Sequence, residues 1–211
     1  LSNSQTLCNS DAYPRTVDIE FSCAKAHYYH AVGLTERDDI VGACEHYLTA
    51  LEIMEFETEN LRTSKSGKRL KIKDKRLKVS VAEPVETPND GVVPSTSSGT
   101  TTSQIQKNLG DSNYENIKFL SLIYTRLGQL FNDENYCEIA ILQYNKAIEC
   151  VEVLGNNDFK SYIYKFLGNS YQLSNVYDSA LYYYNESLRY NSSLPNKLDV
   201  EKTIAKILYY K

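Results

Sequence analysis

Tyr124-Thr-Arg-Leu-Gly128-Gln-Leu-Phe131 returns forty residues later as Tyr164-Lys-Phe-Leu-Gly168-Asn-Ser-Tyr171. The correspondence continues downstream in the same register. Twelve residues after each glycine stands a small residue, Ala140 or Ala180; four further on is Tyr144 or Tyr184, and three beyond that Ala147 or Ser187. Steps of four and three place such residues on one face of a helix. Gly128 and Gly168 opposite those alanines would let two helices cross closely, while Leu127, Leu167 and the aromatics fill the space beside the crossing. A fixed period of this length, built from helix pairs, is the signature of a stacked-repeat protein.

A third, degenerate copy precedes these two. Ala43, Tyr47 and Ala50 reproduce the second-helix spacing, and counting back puts His27, His30, Ala31 and Leu34 in first-helix slots. Ala43 to Ala140 is 97 residues, one forty-residue period plus 57. Residues 61–113 account for that excess and differ in character, with no Tyr or Phe to give to a core. They open with nine Lys/Arg and the single acid Asp74 in 61–79, then turn rich in Pro, Ser and Thr (Pro84, Pro88, Pro94 and 95–103). That composition predicts a flexible insertion. Alternation of Leu70 and Ile72 with Leu77, Val79 and Val81 about Asp74-Lys75 would suit a small β-hairpin there, with a mobile loop the preferred reading.

The chain therefore divides into a tail (1–14), a degenerate helix pair (15–60), the insertion (61–113), two full repeats (114–155 and 156–195), and a capping helix or the start of a fourth repeat (196–211). The predicted helices are 15–34, 39–60, 114–132, 136–154, 159–174, 177–191 and 196–211. Asn135 with Glu138 and Asn175 with Asp178 are expected to cap the second helices. The start lacks Met and the end at Tyr209-Tyr210-Lys211 lacks a helix-stopping residue, so a longer native chain is expected.

The repeated pattern resembles the tetratricopeptide repeat, which carries a large residue, Leu-Gly and then Tyr in its first helix and Ala, Tyr or Phe, and Ala in its second. The departures are the forty-residue period in place of about 34 and the lack of a proline closing the second helix. The resemblance implies an all-α, right-handed superhelix of helix-turn-helix repeats. It also implies a non-catalytic scaffold that binds a peptide or a partner helix in its concave groove. Carried over position by position, that groove is lined by Leu122, Thr125, Arg126, Gln129 and Asn132 in the second copy and by Tyr162, Lys165, Asn169 and Gln172 in the third. Lys165 and Asn169 match part of the family's clamp for C-terminal carboxylates, but Lys206 stands where the next asparagine belongs. The tyrosine-rich, long-repeat style is similar to bacterial members, including envelope-associated ones. The alternative reading is a sensor or input domain of a larger signalling or transcription-regulating protein.

Composition closes off other classes. No apolar run approaches the ~20 residues of a membrane helix, and no basic-then-apolar leader opens the chain, so cytoplasm and bacterial envelope both stay open. The net charge of −4 combines +8 in 61–79 with −12 elsewhere, so the expected folded body is acidic and no nucleic acid is expected as partner. Phosphate-binding glycine loops and GxSxG or HExxH motifs are lacking, which argues against an enzyme and against a cofactor. Asp38-Asp39 and Asp133-Glu134 are paired acids, but both fall at turns, where acids favour the start of the next helix.

Five cysteines without CxxC spacing imply no disulfide framework. Cys23, His27, His30 and Cys44, with His46 nearby, have the ligand types of a zinc site. Packing is the preferred role for them, and no metal is expected. Asn185 and Asn191 head glycosylation sequons that read as chance. The 18 Tyr against 6 Phe and no Trp divide in two. Tyr47, Tyr124, Tyr144, Tyr164, Tyr171 and Tyr184 fill repeat slots; Tyr162, Tyr177, Tyr182, Tyr183 and Tyr190 are extra and would suit an interface, self-association included.

Overall fold

In a computed structural model, which describes residues 17–64, 110–190 and 194–210, the described chain is all-α. Seven helices run in order: α1 (Val17–Thr35), α2 (Ile40–Ser64), α3 (Asp111–Asp133), α4 (Cys137–Leu154), α5 (Asn157–Leu173), α6 (Tyr177–Tyr190) and α7 (Leu194–Tyr210). They pack as three hairpins, α1 on α2, α3 on α4 and α5 on α6, each against the next, with α7 laid on α6. The tail 1–14, the greater part of the insertion with its candidate hairpin at 69–81, and the sequon at Asn191 lie outside the described residues. No described helix is long and apolar enough to cross a membrane.

The buried faces follow the helical step. On α4 these are Ala140, Tyr144, Ala147, Cys150, Val151 and Leu154; on α3 they include Leu120, Ile123, Leu127 and Leu130. One apolar cluster extends from Ala24 on α1 to Leu167 on α5, and a second gathers Ala180, Tyr184, Val200 and Ile207 between α6 and α7. Tyr171 touches both. The small residues have the role their spacing requires. A Cβ at Gly128 would stand 2.5 Å from Tyr144 Cε1, and one at Gly168 2.7 Å from Tyr184 Cδ1, so each glycine is the floor on which the next helix's tyrosine ring lies. In the first hairpin the matching position is Ala31, which is fully buried, as are Ala43, Ala50, Ala140, Ala147 and Ala180. Ser187 takes the last small slot of α6 and exchanges hydrogen bonds with Ser161: each hydroxyl donates to the other residue's carbonyl, at 2.8 and 2.9 Å. Phe131 and Tyr164 are half-buried against the larger cluster.

The three hairpin turns are one motif used three times. Asp38, Asn135 and Asn175, spaced in repeat register, adopt left-handed backbone with φ of 64, 63 and 60°. Each N–H bonds the carbonyl three residues back, and the next N–H reaches five back, Asp39 to Leu34, Tyr136 to Phe131 and Val176 to Tyr171. This is a Schellman ending, in which Asn or Asp replaces the usual glycine because their short polar side chains tolerate the left-handed region. Asn135 and Asn175 therefore close the first helices rather than cap the second ones, and α4 starts from Tyr136 without a side-chain cap. Side-chain capping occurs elsewhere. Asp39 accepts from the Gly42 N–H at 3.0 Å, and Asn156 from the Phe159 N–H at 3.0 Å, each a cap worth about 1 kcal/mol.

Candidate functional site

The repeat register makes Tyr47, Tyr144 and Tyr184, one on the second helix of each hairpin, direct comparators. Fifteen and twelve residues before Tyr184 stand Asn169 and Gln172, and the Tyr184 hydroxyl lies 2.7 Å from both of their side-chain oxygens. Tyr47 bonds Thr35, the residue twelve before it. Tyr144 has the same two positions behind it, Gln129 and Asn132, yet its fully buried hydroxyl has no partner. Both amides are engaged elsewhere. Gln129 accepts from Arg126 Nη1 at 3.1 Å and donates to the Tyr162 hydroxyl at 3.0 Å. Asn132 accepts from the Ser170 hydroxyl at 2.6 Å. An unmatched buried hydroxyl costs free energy, and Tyr144 shares that state with His30 Nδ1 and Gln143 Oε1 among the described residues.

Tyr144 is one of the residues around a cleft of about 370 Å³ where the first hairpin meets the second and α5. Arg126, Gln129, Asn132 and Asn169 line it, and these four come from the nine groove positions expected from the sequence. Glu36 and Asp133 add carboxylates; Tyr47, Tyr144 and Phe166 add aromatic wall, the last two stacked at 5.8 Å. Burial above all, then the charge of Asp133 and the neighbouring Tyr162, pushes the Tyr144 hydroxyl far up, so it keeps its proton. Desolvation likewise pushes the Asp133 carboxyl up. Arg126 is steadied by its Nε–H to the Tyr28 hydroxyl at 3.4 Å.

The other five groove positions are used differently. Thr125 is buried, its hydroxyl donating to the Ser121 carbonyl at 2.7 Å, because its slot faces the helix pair and not the open side. Leu122 is half-buried against the core, and Tyr162 is exposed beside the cleft with its hydroxyl held by Gln129. Lys165 is drawn into an ion pair with Asp199 of α7 at 2.5 Å, while the Asn169 and Gln172 oxygens serve Tyr184. The partial carboxylate clamp is thus satisfied within the chain. Tyr124, a packing residue, donates to Glu55 of α2 across the first two hairpins.

The zinc set does not assemble. Cys23 is disulfide-bonded, which also corrects the expectation of no disulfide, whereas Cys44, Cys137 and Cys150 are free. Burial, then Glu45, pushes the Cys44 thiol up, away from the thiolate a metal requires. The histidines instead meet one another. His27 Nδ1 lies 2.8 Å from His46 Nδ1, so one ring donates and the other accepts, and the His30 ring meets His46 edge-on at 4.3 Å. No group of three or more metal-ligating side chains among the described residues is placed to hold an ion.

Of the extra tyrosines, Tyr183 stacks flat on Tyr171 at 5.2 Å and Tyr190 lies 5.9 Å from Tyr164, whereas Tyr162, Tyr177 and Tyr182 are exposed. Sequence reasoning placed Asp133 at a turn, as an acid favouring the next helix start, and did not single out Glu36; both line the cleft. The register held the signal, since the two are 97 residues apart and so equivalent, with Leu173 in the third copy. Compared with known proteins, the chain matches no family model and no curated protein.

Proposed function

We propose that this chain is a non-catalytic interaction module of tetratricopeptide type, whose hairpins curve as a superhelix and hold a peptide or partner helix along the first-helix side. The Leu-Gly and Ala-Tyr-Ala spacing and the glycine-on-tyrosine crossings support that family reading. The observation that carries the binding reading is the unpartnered, buried Tyr144 hydroxyl at an amide-lined cleft, when its equivalents Tyr47 and Tyr184 are both satisfied. A groove of Gln and Asn side chains suits recognition of an extended backbone, whose N–H and C=O groups need paired donors and acceptors.

The test is a screen of immobilised peptides with the whole chain, repeated with Gln129→Ala/Tyr144→Phe. A set of peptides retained by the natural chain and lost by the double variant is expected. No retained peptide, or the same set retained by both, would show that the cleft is not the binding site.

A further inference from the structure

The cleft has a chemical bias that narrows its ligand. Glu36 and Asp133 occupy the same place in successive hairpins, at the C-terminal ends of α1 and α3. Neither carboxylate forms an ion pair with a described residue. A helix C-terminus carries partial negative charge, so each acid sits where an anion is disfavoured and a cation is attracted. An acidic cluster alone would mean little, but here Tyr144, whose buried hydroxyl is unpartnered and feels the Asp133 charge, lines the same cleft. Half-buried Phe166 adds an aromatic wall to the same cleft. The opposing group is Arg126, whose guanidinium is partly committed to Tyr28 and Gln129. The remainder of the chain outside 61–79 carries −12, which draws basic partners toward it.

Resting on the groove reading above, we propose that the cleft takes a basic side chain of an extended peptide, a lysine ammonium or an arginine guanidinium. It is held between Glu36 and Asp133 and against the oxygen of Tyr144. A phenol can accept an N–H through its oxygen while its own hydrogen goes to a peptide carbonyl, so Tyr144 serves both parts of such a ligand.

Three short blocked peptides of the form acetyl-Ala-X-Ala-amide test this by ¹⁵N-resolved NMR titration of the whole chain, with X as lysine, norleucine or glutamate. Norleucine keeps the aliphatic stem and lacks the charge. The lysine peptide is expected to shift amides around Asp133 and Tyr144 and to bind about tenfold more tightly than the norleucine one, the scale of a lost charged hydrogen bond. Glu36→Gln and Asp133→Asn should each erase most of that preference, and Tyr144→Phe should weaken the lysine peptide. Glu201→Gln on α7, away from the cleft, should change nothing. Equal binding of lysine and norleucine, a preference for glutamate, or indifference to Asp133→Asn overturns the basic-ligand assignment while leaving a peptide groove intact. Silence with all three peptides overturns both.

Discussion

Alanine at Gly128 and at Gly33 should move stability in opposite directions, although both glycines lie within helices. On propensity alone each change favours the helix by up to about 1 kcal/mol. At Gly33, near the end of α1, a new Cβ meets nothing within 4 Å, so that gain stands nearly undiminished. At Gly128 the new Cβ would lie 2.5, 2.8 and 2.9 Å from three carbons of the Tyr144 ring. The ring must retreat by roughly 1 Å to reach ordinary contact. It has little room to do so, being fully buried and stacked on Phe166. Overpacking of this kind costs about 1–3 kcal/mol, and contact through three ring atoms argues for the upper half. The net expectation is a loss of about 1–2 kcal/mol for Gly128→Ala and a gain of about 0.5–1 for Gly33→Ala.

Urea or thermal denaturation followed by circular dichroism reads both, with a melting shift of roughly 2–4 °C per kcal/mol for a chain of this size. A double-mutant cycle makes the cause specific. In a Tyr144→Leu background the ring is gone, so Gly128→Ala should lose most of its penalty, a coupling of about 1 kcal/mol or more. A Gly128→Ala protein as stable as the natural one, or a cycle that is merely additive, would refute the close-crossing account of the repeat.

Other substitutions probe the same register. Tyr184→Phe removes a hydroxyl bonded to two amides and should cost about 1–3 kcal/mol, whereas Tyr144→Phe removes an unmatched one and should leave stability unchanged or raised, both read by urea midpoint. Ser187→Ala should cost about 1 kcal/mol by thermal melting, since alanine fits the slot, as Ala50 and Ala147 show, but the Ser161 carbonyl loses its donor. His27 and His46 both titrate below the ordinary value of 6.5, chiefly through burial and then through their histidine neighbours. On acidification the unfolded chain therefore takes up protons before the folded one. Their contribution is full above about pH 6.5 and declines below it, until the folded rings protonate too. The melting temperature should fall between pH 7 and 5, and less so in His27→Gln/His46→Gln; an equal fall in both proteins would remove these imidazoles as the cause.

The helices and their pairing could be read from the sequence because both are set by local spacing. Ala140, Tyr144 and Ala147 define a helix face whatever surrounds it, and the glycine twelve residues upstream names the face it meets. Side-chain direction at the open face was harder to read. Thr125 and Arg126 are neighbours in sequence, yet one is buried and the other exposed, and carrying over a family position cannot separate them when the hydroxyl prefers its own helix carbonyl. The ion pair of Lys165 was hidden for a related reason. Its partner Asp199 lies on α7, and no repeat period predicts where a capping helix sets its charges. The turn asparagines were recognised as special residues but given the wrong backbone role, since left-handed geometry and side-chain capping favour the same residue types.

A repeat protein offers its own controls, and that bears on where function is sought. If the cleft were an accident of packing, the second-helix tyrosines Tyr47, Tyr144 and Tyr184 would be expected to find partners equally well, because the backbone around each is nearly the same motif. Instead the middle copy keeps both amides that satisfy Tyr184 in the third, and turns them toward Arg126, Tyr162 and Ser170. The same copy keeps the acid that pairs it with the first, at Asp133 and Glu36, where the third copy has Leu173. Two departures from the third copy, one polar and one charged, meet at a single cleft. Neither departure stabilises the fold: the phenol has no partner within the protein, and Asp133, exposed at its turn, forms no ion pair with a described residue. On the proposal of a basic ligand, a cation bearing N–H donors would meet both features at the boundary between the first two hairpins.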